Sequence, residues 1–227
     1  MNRLIARAAA FIAAAAISIT AVSCSSENKD EHDHGNDHNM VGVNVPDNNV
    51  SSDELGYGAT QRDEKPGDSD VPIGVSYDPR YMTHEEAVKV VDYFYSLSAR
   101  DAERLENAVY PPVLKYDLEH FEIASSQEFL DSLYDMYKEN LQTDFEFTYV
   151  LVEDIVESGD ESADYSVYDE MLSMAAPDAK VTDKKLFKVN CTYKKAGGNG
   201  SLLLYKNEQD YAIVAVYTID GVPYVIS

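Results

Sequence analysis

The spacing of apolar residues changes from a helical period to a strand period near Thr143, and this change limits the chain to a fold that contains both elements. Between Thr83 and Leu141, apolar residues recur three or four positions apart, which is typical of amphipathic helices. From Phe145 onward they alternate with polar residues or form short runs rich in Val, Ile and Tyr, which favours strands. Helices followed by strands predict an α+β domain, with the helices packed on one face of an antiparallel sheet.

Polar residues mark the starts of the predicted helices. Thr83 is followed three positions later by Glu86, which is the pattern of a capping box. Asp101 precedes a second apolar stripe, which must end before Pro111 because proline interrupts a helix. Ser125 stands before a third, longer stripe and is predicted to cap it.

The strands are predicted from period and composition. Strict alternation in the first strand places Phe147 and Val150 on opposite faces. A short helix is predicted at 163–175, inserted between the first two long strands. The other strands are predicted at 186–194, 201–206, 211–219 and 222–226. Asp220-Gly221 joins the last two strands and predicts a hairpin, because this pair suits a type I′ turn.

The first 23 residues have the pattern of a signal peptide. Arg3 and Arg7 form a basic start, and an apolar stretch follows that is shorter than the roughly 20 residues needed to span a bilayer. Small residues then stand directly before Cys24. The segment Ala21–Cys24 resembles the lipobox of bacterial lipoproteins, although alanine occupies the position where leucine is commonest.

The lipobox resemblance implies that residues 1–23 are removed and that Cys24 is diacylated. Two acyl chains anchor a protein stably where one does not, so the protein is expected on the extracytoplasmic side of the bacterial cell membrane, held there by lipid. An ordinary secretory signal with a chance cysteine is the alternative. If Cys24 is acylated, Cys191 has no intramolecular disulfide partner, and its apolar surroundings in sequence predict a small buried hydrophobic residue.

Residues 24–80 are predicted to form a disordered acidic tether. Positions 25–80 carry 13 acidic and 4 basic residues and show no sustained apolar period. Within the tether, His32, His34 and His38 stand among acids, and imidazole groups suit divalent zinc, nickel or copper ions. Divalent-metal capture is one interpretation of this tract, and a polar linker with adventitious affinity is the other.

The folded part, residues 81–227, resembles domains of the nuclear transport factor 2 superfamily. The resemblance rests on a helix with Phe94-Tyr95, a turn and Asp101-Ala102 before a second helix, and on the closing hairpin around Gly221. It implies a cystatin-like cone, in which a curved antiparallel sheet and a long helix enclose a pocket. The superfamily includes dehydratases, isomerases and accessory binding domains, so the fold alone assigns no activity.

Charge and motif content exclude several classes of function. The net charge of −23 is incompatible with binding the nucleic-acid backbone, which requires a basic surface. No nucleophile elbow, zinc-protease motif, phosphate-binding loop or dinucleotide fingerprint occurs, and no cofactor is predicted. The Gly197–Gly200 run precedes no helix pattern and is interpreted as a turn.

Asp117 and His120 are the candidate acid–base pair. They are three positions apart and could meet on a helix, as a dehydratase or isomerase would require. We expect instead that Leu118 and Phe121 form the buried side of this helix, which leaves Asp117 and His120 towards water. The sequence therefore predicts no catalysis that depends on His120.

Tyrosines are the other candidates for a site, since the chain has 17 of them. An aromatic ring with one polar tip suits both core packing and ligand recognition. The candidates for ligand binding are Tyr93, Tyr116, Tyr134 and Tyr137. The leading functional hypothesis is a non-enzymatic, lipid-anchored domain that binds a small ligand or a protein partner. A dehydratase or isomerase using His120 and metal capture by the tether are the alternatives.

Overall fold

The computed structural model describes residues 56–156, 164–202 and 211–227, and its architecture is α+β. The helices of these residues are α1 His84–Ala99, α2 Ala102–Ala108, α3 Pro111–His120, α4 Ser126–Leu141 and α5 Ser166–Ala175. The strands are β1 Arg62–Glu64, β2 Gly74–Tyr77, β3 Glu146–Val156, β4 Val181–Lys195, β5 Gly198–Leu202, β6 Ala212–Ile219 and β7 Val222–Ile226. None of the described helices has the length and apolar character needed to cross a membrane.

The predicted helix starts are confirmed. The Thr83 side chain accepts a hydrogen bond from the Glu86 backbone, and the Glu86 carboxylate accepts one from the Thr83 backbone N–H at 2.7 Å. Asp101 and Ser125 cap α2 and α4 in the same way, through their side-chain oxygens. Pro111 opens α3, where its missing N–H removes no helical hydrogen bond.

The strands form one mixed sheet in the order β1-β2-β3-β4-β6-β7, with β5 also paired to β4. The expectation of an antiparallel sheet is wrong for one pair, since β2 and β3 run parallel. The helices α1 to α4 lie between these two strands in the chain and form the long crossover that parallel pairing needs. All other described pairs are antiparallel.

The predicted tether extends too far, because its last part belongs to the fold. β1 and β2 join the sheet, and Val75 and Tyr77 are fully buried in the core. The Tyr77 hydroxyl donates to Glu64 at 2.5 Å, and His84 at the start of α1 lies 3.0 Å from the same carboxylate oxygen. The predictions of a signal peptide and of a tether over residues 1–55 concern a part of the chain outside the described residues.

Asp78 fastens the segment before β1 to the start of the helical layer. Its buried carboxylate accepts hydrogen bonds from Gly58 N at 2.9 Å, from Thr60 Oγ1 at 2.9 Å and from Arg80 Nε at 3.0 Å. Burial raises the pKa of Asp78, but these hydrogen bonds outweigh burial and hold the pKa below its usual range. Residues 56–80 are therefore held by specific polar contacts as well as by apolar burial.

The alternation predicted for the first long strand is interrupted by irregular pairing. The register of β3 against β4 shifts between Phe147 and Tyr149, and again between Val152 and Asp154. An extra residue restarts the alternation, so Phe147 and Val150 are both fully buried and belong to the same core cluster. The prediction that they lie on opposite faces is wrong.

The predicted closing hairpin is confirmed. Asp220 and Gly221 both have positive φ, 51° and 83°, as a type I′ turn requires. The turn joins β6 to β7, and Ile219 pairs with Val222 beside it.

The two faces of the sheet carry different helices. On β6, Val214 and Val216 pack in the core cluster of α1 and α4, whereas the alternating Ala215 and Tyr217 pack with Tyr168 of α5. Successive side chains of a strand point to opposite faces, so α5 covers the face opposite α1. The expectation that all helices pack on one face is therefore wrong for the inserted helix.

Deleting residues 1–80 is expected to lower the melting temperature by more than 10 °C or to prevent folding, because it removes β1, β2 and Asp78. Burial of side chains such as Val75 and Tyr77 contributes about 1.5–3 kcal/mol each, and 1 kcal/mol corresponds to about 2–4 °C in a domain of this size. Thermal unfolding followed by circular dichroism measures the effect. Deletion of residues 1–55 is the control, and equal melting temperatures for the two deletions would contradict the prediction.

Candidate functional site

A cavity lies where β7 ends beside β6. The last pair of these strands is Ala215 with Ile226, so Ala212–Val214 continue beyond the end of β7. Side chains from three helices close this gap: Tyr93 of α1, Tyr137 of α4 and Tyr168 of α5. The cavity therefore lies at a break in the sheet edge, where helices from both faces meet.

The cavity is narrow and mostly apolar. Phe94, Val214 and Val225 contribute apolar wall, together with the rings of the tyrosines. The part wide enough for the centre of a water molecule measures about 30 Å³. This is room for one or two water molecules, because a single water needs about 10–15 Å³ measured in this way.

The three tyrosine hydroxyls at the cavity are held in their neutral form. Burial raises the pKa of Tyr168 to about 12 and raises the pKa of Tyr137 well above its usual value. Burial also raises the pKa of Tyr93, although a hydrogen bond with Ser227 opposes the change and the charge of Asp117 adds to it. Each hydroxyl therefore keeps its proton at neutral pH.

Asp117 is a buried acid of α3 that does not line the cavity, but its charge acts on the Tyr93 hydroxyl. Its side chain belongs to a residue only 3% exposed, and among the described residues its Oδ2 atom has no hydrogen-bond partner. Burial raises the pKa of this carboxyl to about 7. The expectation that Asp117 faces water is wrong, because α3 buries Val113, Leu114 and Asp117 on one side.

His120 lies outside the cavity. It is exposed at the end of α3, where its ring stacks on Tyr116 at 5.7 Å between centroids and meets the edge of Phe121 at 4.8 Å. Asp117 is buried and His120 is exposed, so the structure does not bring them together in a dry pocket. The geometry required for acid–base chemistry by this pair is absent from α3.

Tyr116 and Tyr134 also lie away from the cavity. The Tyr116 hydroxyl donates to Met174 Sδ at 3.3 Å, between α3 and α5. Tyr134 stacks on Phe145 at 5.0 Å, and the Arg100 guanidinium lies 4.7 Å from the centre of its ring. Of the four predicted tyrosines, the structure brings Tyr93 and Tyr137 together, and the other two have structural contacts.

Tyr168 was not among the predicted site residues and Asp117 was predicted to face water, although helical spacing pointed to the burial of both. Tyr168 and Leu172 are four positions apart and are the buried residues of α5. Val113 and Asp117 are likewise four apart and share the buried side of α3. Extending the apolar stripe of each helix by one turn would have identified these two positions.

Other candidate residues are either buried or outside the described residues. Cys191 is buried, and burial raises the pKa of its thiol well above the usual value, which agrees with the predicted packing role. Within the described ranges, no group of three or more His, Cys, Asp or Glu side chains is placed to hold a metal ion. Cys24, His32, His34 and His38 lie outside these ranges, so lipidation and metal capture stay predictions.

Comparison of the chain with protein-family models, curated proteins and solved structures gives no match. No residue role is therefore transferred from a relative. The contacts of the site itself carry the functional argument.

The Asp117→Asn variant is expected to be more stable than the parent at pH 8 and to show no gain at pH 4. The pKa of this acid is about 4 in the unfolded chain and about 7 in the folded protein. The folded protein therefore loses stability as the pH rises through this range, because the unfolded chain releases the proton first. At pH 8 the ionised carboxylate costs on the order of 2–4 kcal/mol, which a neutral amide avoids. Urea unfolding at the two pH values measures the difference.

Asp131→Asn is the matched control, because this α4 side chain is 51% exposed. Its unfolding free energy is expected to change by less than about 0.5 kcal/mol at either pH. A gain for Asp117→Asn that is the same at pH 4 and pH 8 would contradict a raised pKa.

Proposed function

We propose that this protein is a lipid-anchored extracytoplasmic domain that binds a small ligand at the tyrosine-lined cavity. One observation carries the proposal: Asp117, whose charge acts on the cavity residue Tyr93, is buried with an oxygen that has no hydrogen-bond partner among the described residues. A ligand with a hydrogen-bond donor would supply the missing partner. The proposal concerns binding and assigns no catalytic step.

The energetic position of Asp117 supports a functional role. A buried polar atom without a partner costs about 1–3 kcal/mol, so a purely structural helix gains nothing from an acid at this position. Groups with strongly perturbed pKa values are concentrated at binding and catalytic sites. Small-molecule sites also combine mostly apolar walls with a few convergent polar groups, as this cavity does.

The polar groups limit the chemistry of the ligand. The Asp117 carboxyl, with a pKa of about 7, is partly ionised at neutral pH and accepts hydrogen bonds from an amine or a hydroxyl. The faces of aromatic rings attract cations, which favours an amine over an acid. We therefore infer a small neutral or cationic ligand with at least one N–H or O–H donor.

A ligand larger than two water molecules requires part of the wall to move. Tyr168 is the wall residue carried by α5, and this helix packs mainly against α3. The helix α5 is also held by polar contacts of Asp169 with Lys184 and Tyr217. In the proposed mode of binding, the Tyr168 side chain moves to make room for the ligand.

The placement of α1 supports a fold like that of the nuclear transport factor 2 superfamily. A long helix lies over the sheet, the next helices follow directly, and a β-hairpin closes the chain. In this arrangement the pocket lies under the long helix, where Tyr93 and Tyr137 are found. The dehydratase or isomerase alternative depended on His120, and the exposure of this residue removes the observation that favoured it.

Membrane attachment is proposed from the lipobox-like segment Ala21–Cys24. Cys24→Ser is expected to release the protein from the membrane fraction, because serine cannot form the thioether that carries the diacyl group and the remaining chain has no lipid to hold it. Membrane fractionation of the host, followed by immunoblotting, measures the distribution. Unchanged partition of the Ser variant into the membrane would show that Cys24 is not the anchor.

The ligand proposal is tested by native mass spectrometry of the full chain purified from its own host. The parent is expected to carry a bound small molecule, and Asp117→Leu is expected to reduce its occupancy at least 10-fold, since leucine removes the acceptor. Asp131→Asn, on the exposed side of α4, is expected to keep the parent occupancy.

Circular dichroism confirms that each variant is folded before the comparison. Equal occupancy in Asp117→Leu and the parent would place the ligand elsewhere. A parent with no bound molecule, together with no thermal shift on adding small amines or polyols, would contradict the proposed function.

A further inference from the structure

A second, larger concavity lies on the outside of the helical layer. It runs between α2, α3 and the start of α4 and measures about 520 Å³. Leu114, Leu118 and Ile123 form its apolar floor, and Glu106 and Glu119 contribute acidic walls. We call this surface the helical groove. It is independent of the tyrosine-lined cavity, with which it shares no lining residue.

The floor of the helical groove has the pattern of a helix-binding surface. Leu114 and Leu118 are four positions apart on α3 and therefore lie on one side of that helix. Pro111 and Ile123 continue the apolar surface at its two ends. A row of apolar side chains of this kind fits the apolar face of an amphipathic helix, whose anchors recur three or four positions apart.

The charge around the helical groove is predominantly negative. Glu106 and Glu119 are exposed, and Lys115 is the one basic residue in the described lining. The Lys115 ammonium lies 3.8 Å from the Glu119 carboxylate, and an exposed pair of this kind contributes only about 0–1 kcal/mol. A cationic group from a partner therefore competes with Lys115 at little cost.

A hydrogen bond fixes Glu106 at this negative edge, and one further acid adds to it. Ser126 Oγ donates to Glu106 Oε1 at 2.7 Å and thereby fixes the carboxylate across the boundary between α2 and α4. Glu122, next to Ile123, has a positive φ of 56° at a helix end where glycine is the favoured residue. An exposed acid occupies that position in spite of the backbone penalty, and it adds to the negative charge beside the groove.

We propose that the helical groove docks a basic amphipathic helix of a partner protein. Leu118, which is partly exposed, supplies most of the apolar contact, because Leu114 and Ile123 are only 5% and 7% exposed. The acidic walls select lysine and arginine on the flanks of the partner helix. Charge disfavours the other occupants: a second copy of this chain has a net charge of −23, and an anionic lipid surface is repelled in the same way. This interaction is separate from small-ligand binding at Asp117.

The probe for the test is a synthetic 14-residue helical peptide of leucine and lysine, with a leucine and glutamate peptide of the same pattern as control. Each peptide is titrated into the full chain at about 150 mM salt, where long-range attraction is screened beyond about 8 Å. NMR amide shifts locate the contact. The cationic peptide is expected to shift residues of α2, α3 and the start of α4, and the anionic peptide to bind at least 10-fold more weakly.

Two variants measure the contributions of the apolar floor and of the acidic walls to peptide affinity separately. Leu118→Gln removes apolar surface and is expected to lower the affinity for the cationic peptide at least 5-fold. Glu119→Gln removes one acidic wall residue. It is expected to lower the affinity for the cationic peptide 2- to 5-fold and to reduce the dependence of that affinity on salt concentration. Met174→Gln is the matched control for the first variant, because Met174 is an apolar side chain of α5 that is 52% exposed. Its affinity is expected to equal that of the parent.

Three outcomes would overturn the proposal: amide shifts spread over the whole surface, equal loss of affinity in Leu118→Gln and Met174→Gln, or equal binding of the two peptides. The Asp117→Leu variant, once shown to be folded, is expected to bind the peptide like the parent. Failure of the helical groove and failure of the small-ligand site are therefore distinguished by different variants.

Discussion

Packing of α1 against the sheet is the interaction on which the rest of the structure depends. Phe94, buried in the middle of this helix, meets the edge of Phe147 on β3 with ring centroids 6.0 Å apart. At the start of the helix, the buried Glu86 binds Lys185 of β4 at 2.9 Å. These two contacts fix the helix along and across the sheet, and the position of Tyr93 at the cavity follows from them.

The fold could be predicted from the sequence where its cause is local. The cap at Thr83 and the turn at Asp220-Gly221 depend on a few adjacent residues, and both are confirmed. β2 depends on distant residues: it is four residues long in an acid-rich segment, and Tyr77 becomes a core residue only through pairing with β3 and the bond to Glu64. Composition favoured disorder there because it does not register such long-range contacts.

The candidate site could be predicted only in part, for the same reason. The amphipathic ring of tyrosine made this residue type a candidate for ligand binding. Whether a given tyrosine lines the cavity, as Tyr93 does, or packs on Arg100, as Tyr134 does, depends on where the helices meet. Asp117 looked like a solvent-facing acid of an amphipathic helix. In the structure it lies on the buried side of α3 with Val113, and this burial raises the pKa of the acid to about 7.

The sheet order has a consequence for the route by which the chain folds. α1 is made early, yet two of the strands that cover its apolar stripe, β6 and β7, come from the end of the chain. β4 likewise pairs with β3 along one of its edges. The first half of its other edge stays unpaired until β6 has been made. Long sequence separation of contacts slows folding. Until its final hairpin has emerged, the nascent chain therefore leaves the side of α1 that β6 and β7 cover exposed, and in that interval it is most prone to aggregation.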